Sequence, residues 1–336
     1  MIIRAINGHV ASQDLGKTLM HEHLVIGFTG WEGDTLYNRD GNRDMVAACV
    51  DKIEELKANG YSSLVDPCPN DLGRNIDVMG ETAARTGFNI MFAVGVYDEK
   101  YAGAYWKDKL ATDPDAAAYL TEMYVREIED GVGSTGLRPA VIKVACGPGP
   151  FPRHEQVAME AAAAASVATG TPILTHTEGV DGDLQLDYLT SRGIPAHRVI
   201  VGHCCGNSDH DYHSRICDAG AYIGFDRFGL EKVHPDSERT ASLAAMVNAG
   251  YTPHIIVSHD CVFNLRGQMG SKERVAAAHT RSPLHFERTI APRLRELGVS
   301  QSAIDSMLTD NPRAYFEGVT PEQAKRQMAQ GHSIGS

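Results

Sequence analysis

The sequence predicts a (β/α)8 TIM barrel, a form of α/β fold, with a short N-terminal β-hairpin and extra C-terminal helices. Eight short apolar runs alternate with helix-patterned stretches, turn residues separate them, and 336 residues suit one such barrel. An open doubly wound sheet is the rival, but no Gly-x-Gly-x-x-Gly follows the first core strand. No linker rich in Pro, Gly or Ser divides the chain, so residues 1–336 read as a single domain with its core at about 16–318.

Ile2–Arg4 and His9–Ala11 flank Ile6-Asn7-Gly8, and Asn-Gly is a hairpin-turn signal. The first core strand is Thr18–Val25, followed by a polar and aromatic loop from Gly27 to Asp40. Met45, Val46, Cys49, Val50, Ile53 and Leu56 recur at helical spacing over Arg43–Asn59, and Asn59-Gly60 is the stop before strand Ser62–Asp66. The unit then repeats. Helices at 76–86 and about 115–130 precede strands Phe88–Val96 and Pro139–Ala145. Helices at 155–169, 184–191, 210–219 and 237–249, each stopped near a glycine, precede strands Pro172–Thr175, Val199–Gly202, Ala221–Phe225 and His254–Ser258. Helices at 285–297, 301–308 and 311–316 close the fold, and residues 320–336 are expected to form a flexible tail.

Charge and composition remove several functional classes. With 43 acidic against 31 basic side chains the net charge is -12, which repels phosphate backbones and anionic lipid, so neither nucleic acid nor membrane is an expected partner. No apolar run approaches the ~18 residues of a membrane span, and Met1-Ile2-Ile3-Arg4-Ala5 lacks the pattern of a signal peptide. The expected location is the cytoplasm. The seven cysteines lack Cys-x-x-Cys spacing and read as free, mostly buried thiols.

In a barrel, chemical groups sit at the C-terminal ends of the strands. The first strand carries His21 and His23, two residues apart in Met20-His21-Glu22-His23-Leu24 and so on one face of an extended strand, with Glu22 turned away. The fourth carries Lys143, the fifth ends in His176, the sixth in His203 and the eighth in Asp260. Singly, the histidines could be satisfied core residues, Lys143 a snorkelling lysine and Asp260 a helix cap. Jointly they form a donor set for two divalent metals. Two cations need an anion between them. A neutral Lys143 amine that has taken up carbon dioxide becomes a bridging carbamate, and burial favours the neutral amine.

The motifs Gly16-Lys17-Thr18-Leu19-Met20-His21-Glu22-His23, Ile142-Lys143, Thr175-His176-Thr177-Glu178-Gly179, Gly202-His203, Val257-Ser258-His259-Asp260 and Asn311-Pro312 resemble those of the phosphotriesterase family of the amidohydrolase superfamily, over nearly the whole chain. The resemblance implies a binuclear metal centre. His21, His23 and Asp260 would hold one ion, His176 and His203 the other, and carboxylated Lys143 with a hydroxide would bridge them. Zinc is the first choice of metal, with cobalt, manganese or iron as alternatives.

Ala93-Val94-Gly95-Val96-Tyr97 and the segment Ile223 to Glu231, with Asp226-Arg227, look like those of phosphotriesterase-like lactonases. In that branch Tyr97 would line the pocket near the hydroxide or substrate, and Arg227 would shape it; otherwise Tyr97 reads as a core aromatic and Arg227 as an ion-pair partner of Asp226 or Glu178. The connection from Cys261 to Ser282 lacks the tryptophan common in such lactonases. Arg266, Lys272, Arg274 and Arg281 in it read as solvated charges, unless two converge on the mouth and favour an anionic substrate such as a phosphorylated sugar lactone.

The resemblance implies a lactonase with weak phosphotriesterase activity, in which Asp260 takes the hydroxide's proton and returns it to the leaving alkoxide. A true phosphotriesterase (an aryldialkylphosphatase), an N-acyl or amide hydrolase, and a non-catalytic binding protein on the same barrel are the alternatives. A homodimer is expected by analogy with the family.

Overall fold

Short runs of β-branched and apolar residues, closed off by glycines and proline-bearing turns, become the strands of a parallel barrel. The computed structural model describes residues 1–35, 42–267 and 281–331, with side chains described through residue 326. A hairpin of β1 (Ile2–Ala5) and β2 (Gly8–Ala11) precedes the barrel. The first barrel strand comes in two pieces, β3 (Lys17–Leu19) and β4 (Glu22–Gly27). Then follow β5 (Tyr61–Asp66), β6 (Asn89–Val96), β7 (Val141–Ala145), β8 (Ile173–His176), β9 (Val199–Val201) and β10 (Tyr222–Phe225). The eighth strand is also in two pieces, β11 (Ile255–Val257) and β12 (Cys261–Arg266).

A parallel ladder runs from β3 through β5, β6, β7, β8, β9 and β10 to β11, and a second parallel ladder of β4 with β12 closes the circle. Helices α1 (Asn42–Ala58), α2 (Ile76–Thr86), α3 (Ala104–Thr112), α4 (Ala116–Glu129), α5 (Arg153–Thr169), α6 (Gly182–Thr190), α7 (His210–Asp218) and α8 (Asp236–Asn248) lie between the strands. The fold class is the one the alternation predicts.

Strand parity sorts the core into two layers. Leu64, Val94, Ile142, Ile173 and Ile223 belong to the larger cluster with the helices. Val65, Ala93, Val141, Leu174, Ile200, Tyr222 and Ile256 form a second cluster, sealed by Ile3, Val10 and Leu15 near the hairpin and by Tyr315 and Phe316. The polar residues of the site continue this second parity: Lys143 follows Val141, and His176 follows Leu174. Gly95 has a specific reason to be glycine. A Cβ there would lie 1.8 Å from the carbonyl oxygen of Lys143, its partner in the ladder.

Four expectations need correction. The first strand is interrupted at Met20-His21 instead of running straight through 18–25. Residues 261–266 are a strand paired with Glu22–Gly27, not the start of a loop, because Asn264 donates to the Leu24 and Met45 carbonyls and anchors the run. The helix expected over 285–297 opens as a π turn (Phe286–Ile290) before Ala291–Glu296, since Pro292 has no N–H to donate to the preceding turn. The tail expected at 320–336 begins as a helix, Pro321–Gly331, and 332–336 lie outside the described residues. Its cause is a capping box: Thr320 N–H donates to Gln323 Oε1 at 2.9 Å and Gln323 N–H to Thr320 Oγ1 at 3.2 Å. The seven cysteines are buried and free. Among the described residues no helix is long and apolar enough to cross a membrane.

Candidate metal centre

The interruptions in the first and last strands fall at candidate ligands. His21 occupies the break between β3 and β4, Asp260 the break between β11 and β12, and the Asp260 N–H donates to the His21 carbonyl at 3.0 Å. Three described non-glycine residues have positive φ, and two are candidate ligands: His203 at 62° and Asp260 at 50°. Left-handed backbone is uncommon outside glycine, though aspartate and histidine enter it more readily than most residues.

Four imidazoles stand in a row. Ring centroids lie 5.4 Å apart for His23 and His21, 4.6 Å for His21 and His203, and 4.6 Å for His203 and His176. Lys143 Nζ lies 3.5 Å from His21 Nε2, and Asp260 Oδ1 lies 3.2 Å from His23 Nε2 and 3.9 Å from His21 Nε2. One donor atom each from His21, His23 and Asp260 lies within 4.8 Å of the others. All six residues expected as ligands therefore meet at the C-terminal mouth of the barrel.

The electrostatics prepare lone pairs. Burial lowers His21 to about 4, with Lys143 adding to the effect, and burial likewise lowers His176 to about 4. His203 is held well below the usual imidazole value by burial and by Arg227. Burial opposes a charge on His23, but Asp260 and Asp66 raise it well above the ordinary value, so it pairs with Asp260 when no cation is present. Burial pushes the Lys143 amine down to about 7. Buried neutral imidazoles crowded together, with His176 Nε2 facing only the Glu178 carboxylate at 3.6 Å, fit a divalent metal. A lysine that sheds its proton near neutrality fits conversion to an anion.

Asp226 orients half of this set. It accepts from His21 Nδ1 at 3.0 Å, His203 Nδ1 at 2.9 Å and the His203 N–H at 3.0 Å, which leaves both Nε2 atoms free for the site. Asp66 accepts from the Leu24 and Cys68 amides and stands 3.4 Å from His23 Nδ1. Neither aspartate was expected in a site role, yet both sit at strand ends, Asp66 closing β5 and Asp226 just beyond β10. The strand-end rule, applied to all eight strands, finds them.

Glu22 does face away. Its carboxylate accepts from Ser258 Oγ, the His259 N–H, His259 Nδ1 and the Cys261 N–H, at 2.6–2.9 Å. Tyr97, one residue beyond β6, places its hydroxyl 3.5 Å from His176 Nδ1. Arg227 donates through Nε to Asp260 Oδ2 at 3.0 Å and stands 3.6 Å from Glu178, so of its two expected ion-pair partners Glu178 holds, and Asp260 takes the place of Asp226. A row of rings leads away from the imidazoles: His176 to Tyr97 at 5.2 Å, Tyr97 to Tyr101 at 6.1 Å, and Tyr101 to Phe28 at 5.2 Å. Of the four cations considered for an anionic substrate, Arg281 spends its guanidinium on main-chain carbonyls. Lys272 and Arg274 lie outside the described residues.

A parallel barrel with buried imidazoles, a lysine and a carboxylate at its C-terminal mouth is the build of a metal-dependent hydrolase. The chain belongs to the phosphotriesterase family, whose model matches residues 1–316. It is 33% identical to a phosphotriesterase homology protein of Mycobacterium tuberculosis, over 94% of this chain and 97% of that one. The solved organophosphorus hydrolase from Deinococcus radiodurans superposes with a TM-score of 0.88 at 34% identity, covering 94% of this chain and 97% of that one. A mutant of a phosphotriesterase-like lactonase from the same organism gives a TM-score of 0.87 at 34% identity, with 94% and 99% covered.

Proposed function

We propose that the chain opens lactones by metal-dependent hydrolysis and cleaves phosphotriesters more slowly at the same site. The convergence of His21, His23, His176, His203, Lys143 and Asp260 at one barrel mouth carries the reading. His21, His23 and Asp260 would hold one divalent ion and His176 with His203 a second, with Lys143 between them as its carbamate. Zinc suits this nitrogen and oxygen donor set, and cobalt, manganese or iron are the alternatives. Bound metal would supply a hydroxide nucleophile at neutral pH and polarise the substrate carbonyl.

The chain's own groups do the rest. Asp260 takes up the nucleophile's proton and returns it to the departing alkoxide, with Arg227 fixing its carboxylate. Tyr97, beside His176, borders the substrate. The packed rings of Tyr97, Tyr101 and Phe28 would form an aromatic wall for a carbon chain, which favours a lactone with an alkyl or acyl substituent over a small charged ester.

Comparing kcat/KM on γ-lactones, acyl-homoserine lactones, paraoxon-like triesters and N-acyl amides tests the reading. Greater efficiency on lactones supports it. A preference for triesters makes the protein a phosphotriesterase, a preference for amides makes it an amidase, and no turnover with two bound metals makes it a binding protein. Seven buried free thiols suit the reducing cytoplasm. A homodimer is part of the proposal, and light scattering on the purified protein tests it.

A further inference from the structure

We propose that Arg281 is a positioning residue for the site, holding the Ser258-His259-Asp260-Cys261 turn so that the Asp260 carboxylate meets His23 and Arg227. The inference rests on the proposed role of Asp260. It starts from the backbone: Asp260 has a φ of 50°, in the left-handed region that residues with a Cβ enter infrequently, aspartate more readily than most. Such a turn needs partners on both of its faces.

The N–H face is fully engaged. Glu22 takes the His259 and Cys261 amides, and the His21 carbonyl takes that of Asp260. The carbonyl face belongs to Arg281. Its guanidinium donates to the Asp260 carbonyl at 2.6 Å and to the His259 carbonyl, and the same group reaches the Phe228 carbonyl at 3.4 Å. Phe228 directly follows Arg227, whose side chain bonds Asp260. One planar cation thus fastens both turns that carry the Arg227 and Asp260 pair. A carboxylate on one side and a guanidinium on the other leave the turn little freedom.

Arg281 is itself pinned. Its main-chain carbonyl accepts from Lys52 Nζ of α1 at 2.8 Å and from Cys261 Sγ at 3.4 Å. The chain leaves the site at Asp260 and returns to it at Arg281. Lysine cannot replace this function, because a point charge on a flexible stem lacks the fork that reaches several carbonyls at once.

The test uses the full chain loaded with cobalt(II), comparing wild type, Arg281→Ala and Arg281→Lys. Metal stoichiometry, the visible cobalt spectrum, the thermal midpoint, kcat and KM are measured. Both variants are expected to unfold cooperatively, bind cobalt with an altered spectrum, and lose kcat by roughly 10–100-fold, the usual effect of removing a group that orients a metal ligand. KM should stay within about twofold, because the lost contact is not with substrate. Methylguanidinium should restore part of the spectrum and rate in Arg281→Ala. A wild-type spectrum and kcat in Arg281→Lys overturns the inference, and that variant decides the matter if Arg281→Ala fails to fold. If wild type binds cobalt but does not open lactones, the proposed reaction falls, while the spectral comparison still judges Arg281.

Discussion

At Asp226 a single carboxylate sets the tautomer of two imidazoles. Burial opposes its charge, and the contacts with His203 and His21 outweigh that, so it stays ionised and draws an N–H from each ring. Asp226→Asn keeps the volume but removes the charge and one acceptor. Metal affinity is expected to fall by about 10–100-fold, measured by competition with a chromophoric chelator, and unchanged affinity would count against the orienting role.

Lys143 gives a second test at the same scale. Its amine is lowered from 10.5 to about 7 by burial, so between those values the unfolded chain holds a proton that the folded metal-free protein does not. Stability from this group is therefore fully present above the unfolded value, falls as the pH drops through the window, and is lost below the folded value. Metal-free Lys143→Met should be more stable than wild type at pH 7, and the gap should close toward pH 10. Urea midpoints measured across that range check it. The candidate ligands were legible because each is a chemically conspicuous residue at a strand end. Asp226 was passed over because an aspartate before an arginine also reads as half of an ion pair.

Elements were legible where pattern extends over many residues and illegible where it is short. Helix α1 announced itself by six apolar residues at helical spacing, and Gly87 and Gly170 stop α2 and α5 in the left-handed conformation. Helix α3 fully buries one apolar side chain, Leu110, and leaves almost no periodic signal. The Pro321–Gly331 helix had a local signal, Thr320-Pro321-Glu322-Gln323, that a composition rich in polar residues concealed. Its cap makes it testable. Thr320→Ala should cost about 1 kcal/mol in the first turn, seen as faster amide exchange over residues 322–326, with hydrolytic turnover unchanged. Equal exchange in the two proteins would mean that Pro321 and the His254 contact with Glu322, at 3.2 Å, hold the helix without the cap.

For the molecule as a whole, barrel closure and the candidate metal site meet at one seam. The β3 to β11 ladder has two ends, and the circle is completed by β4 and β12 beyond the breaks that hold His21 and Asp260. Alternating apolar residues predict strands but carry no mark of where a strand is broken, so this seam was invisible in the sequence. Its neighbours on the site side are His21, His23 and Asp260, with a protonated His23 bridging to Asp260 in the metal-free protein. A cation joining these three residues would tie the first strand to the last. Because it binds the folded state and not the unfolded chain, it adds about 2.7 kcal/mol when present at a hundred times its Kd. That stabilisation should be local as well as global. Hydrogen exchange of metal-loaded and chelator-treated protein is expected to show the largest loss of protection at 17–27 and 255–266, with smaller losses at β7 and β8, which lie opposite the seam and carry Lys143 and His176. Uniform deprotection around all eight strands would mean that metal stabilises the barrel without closing it.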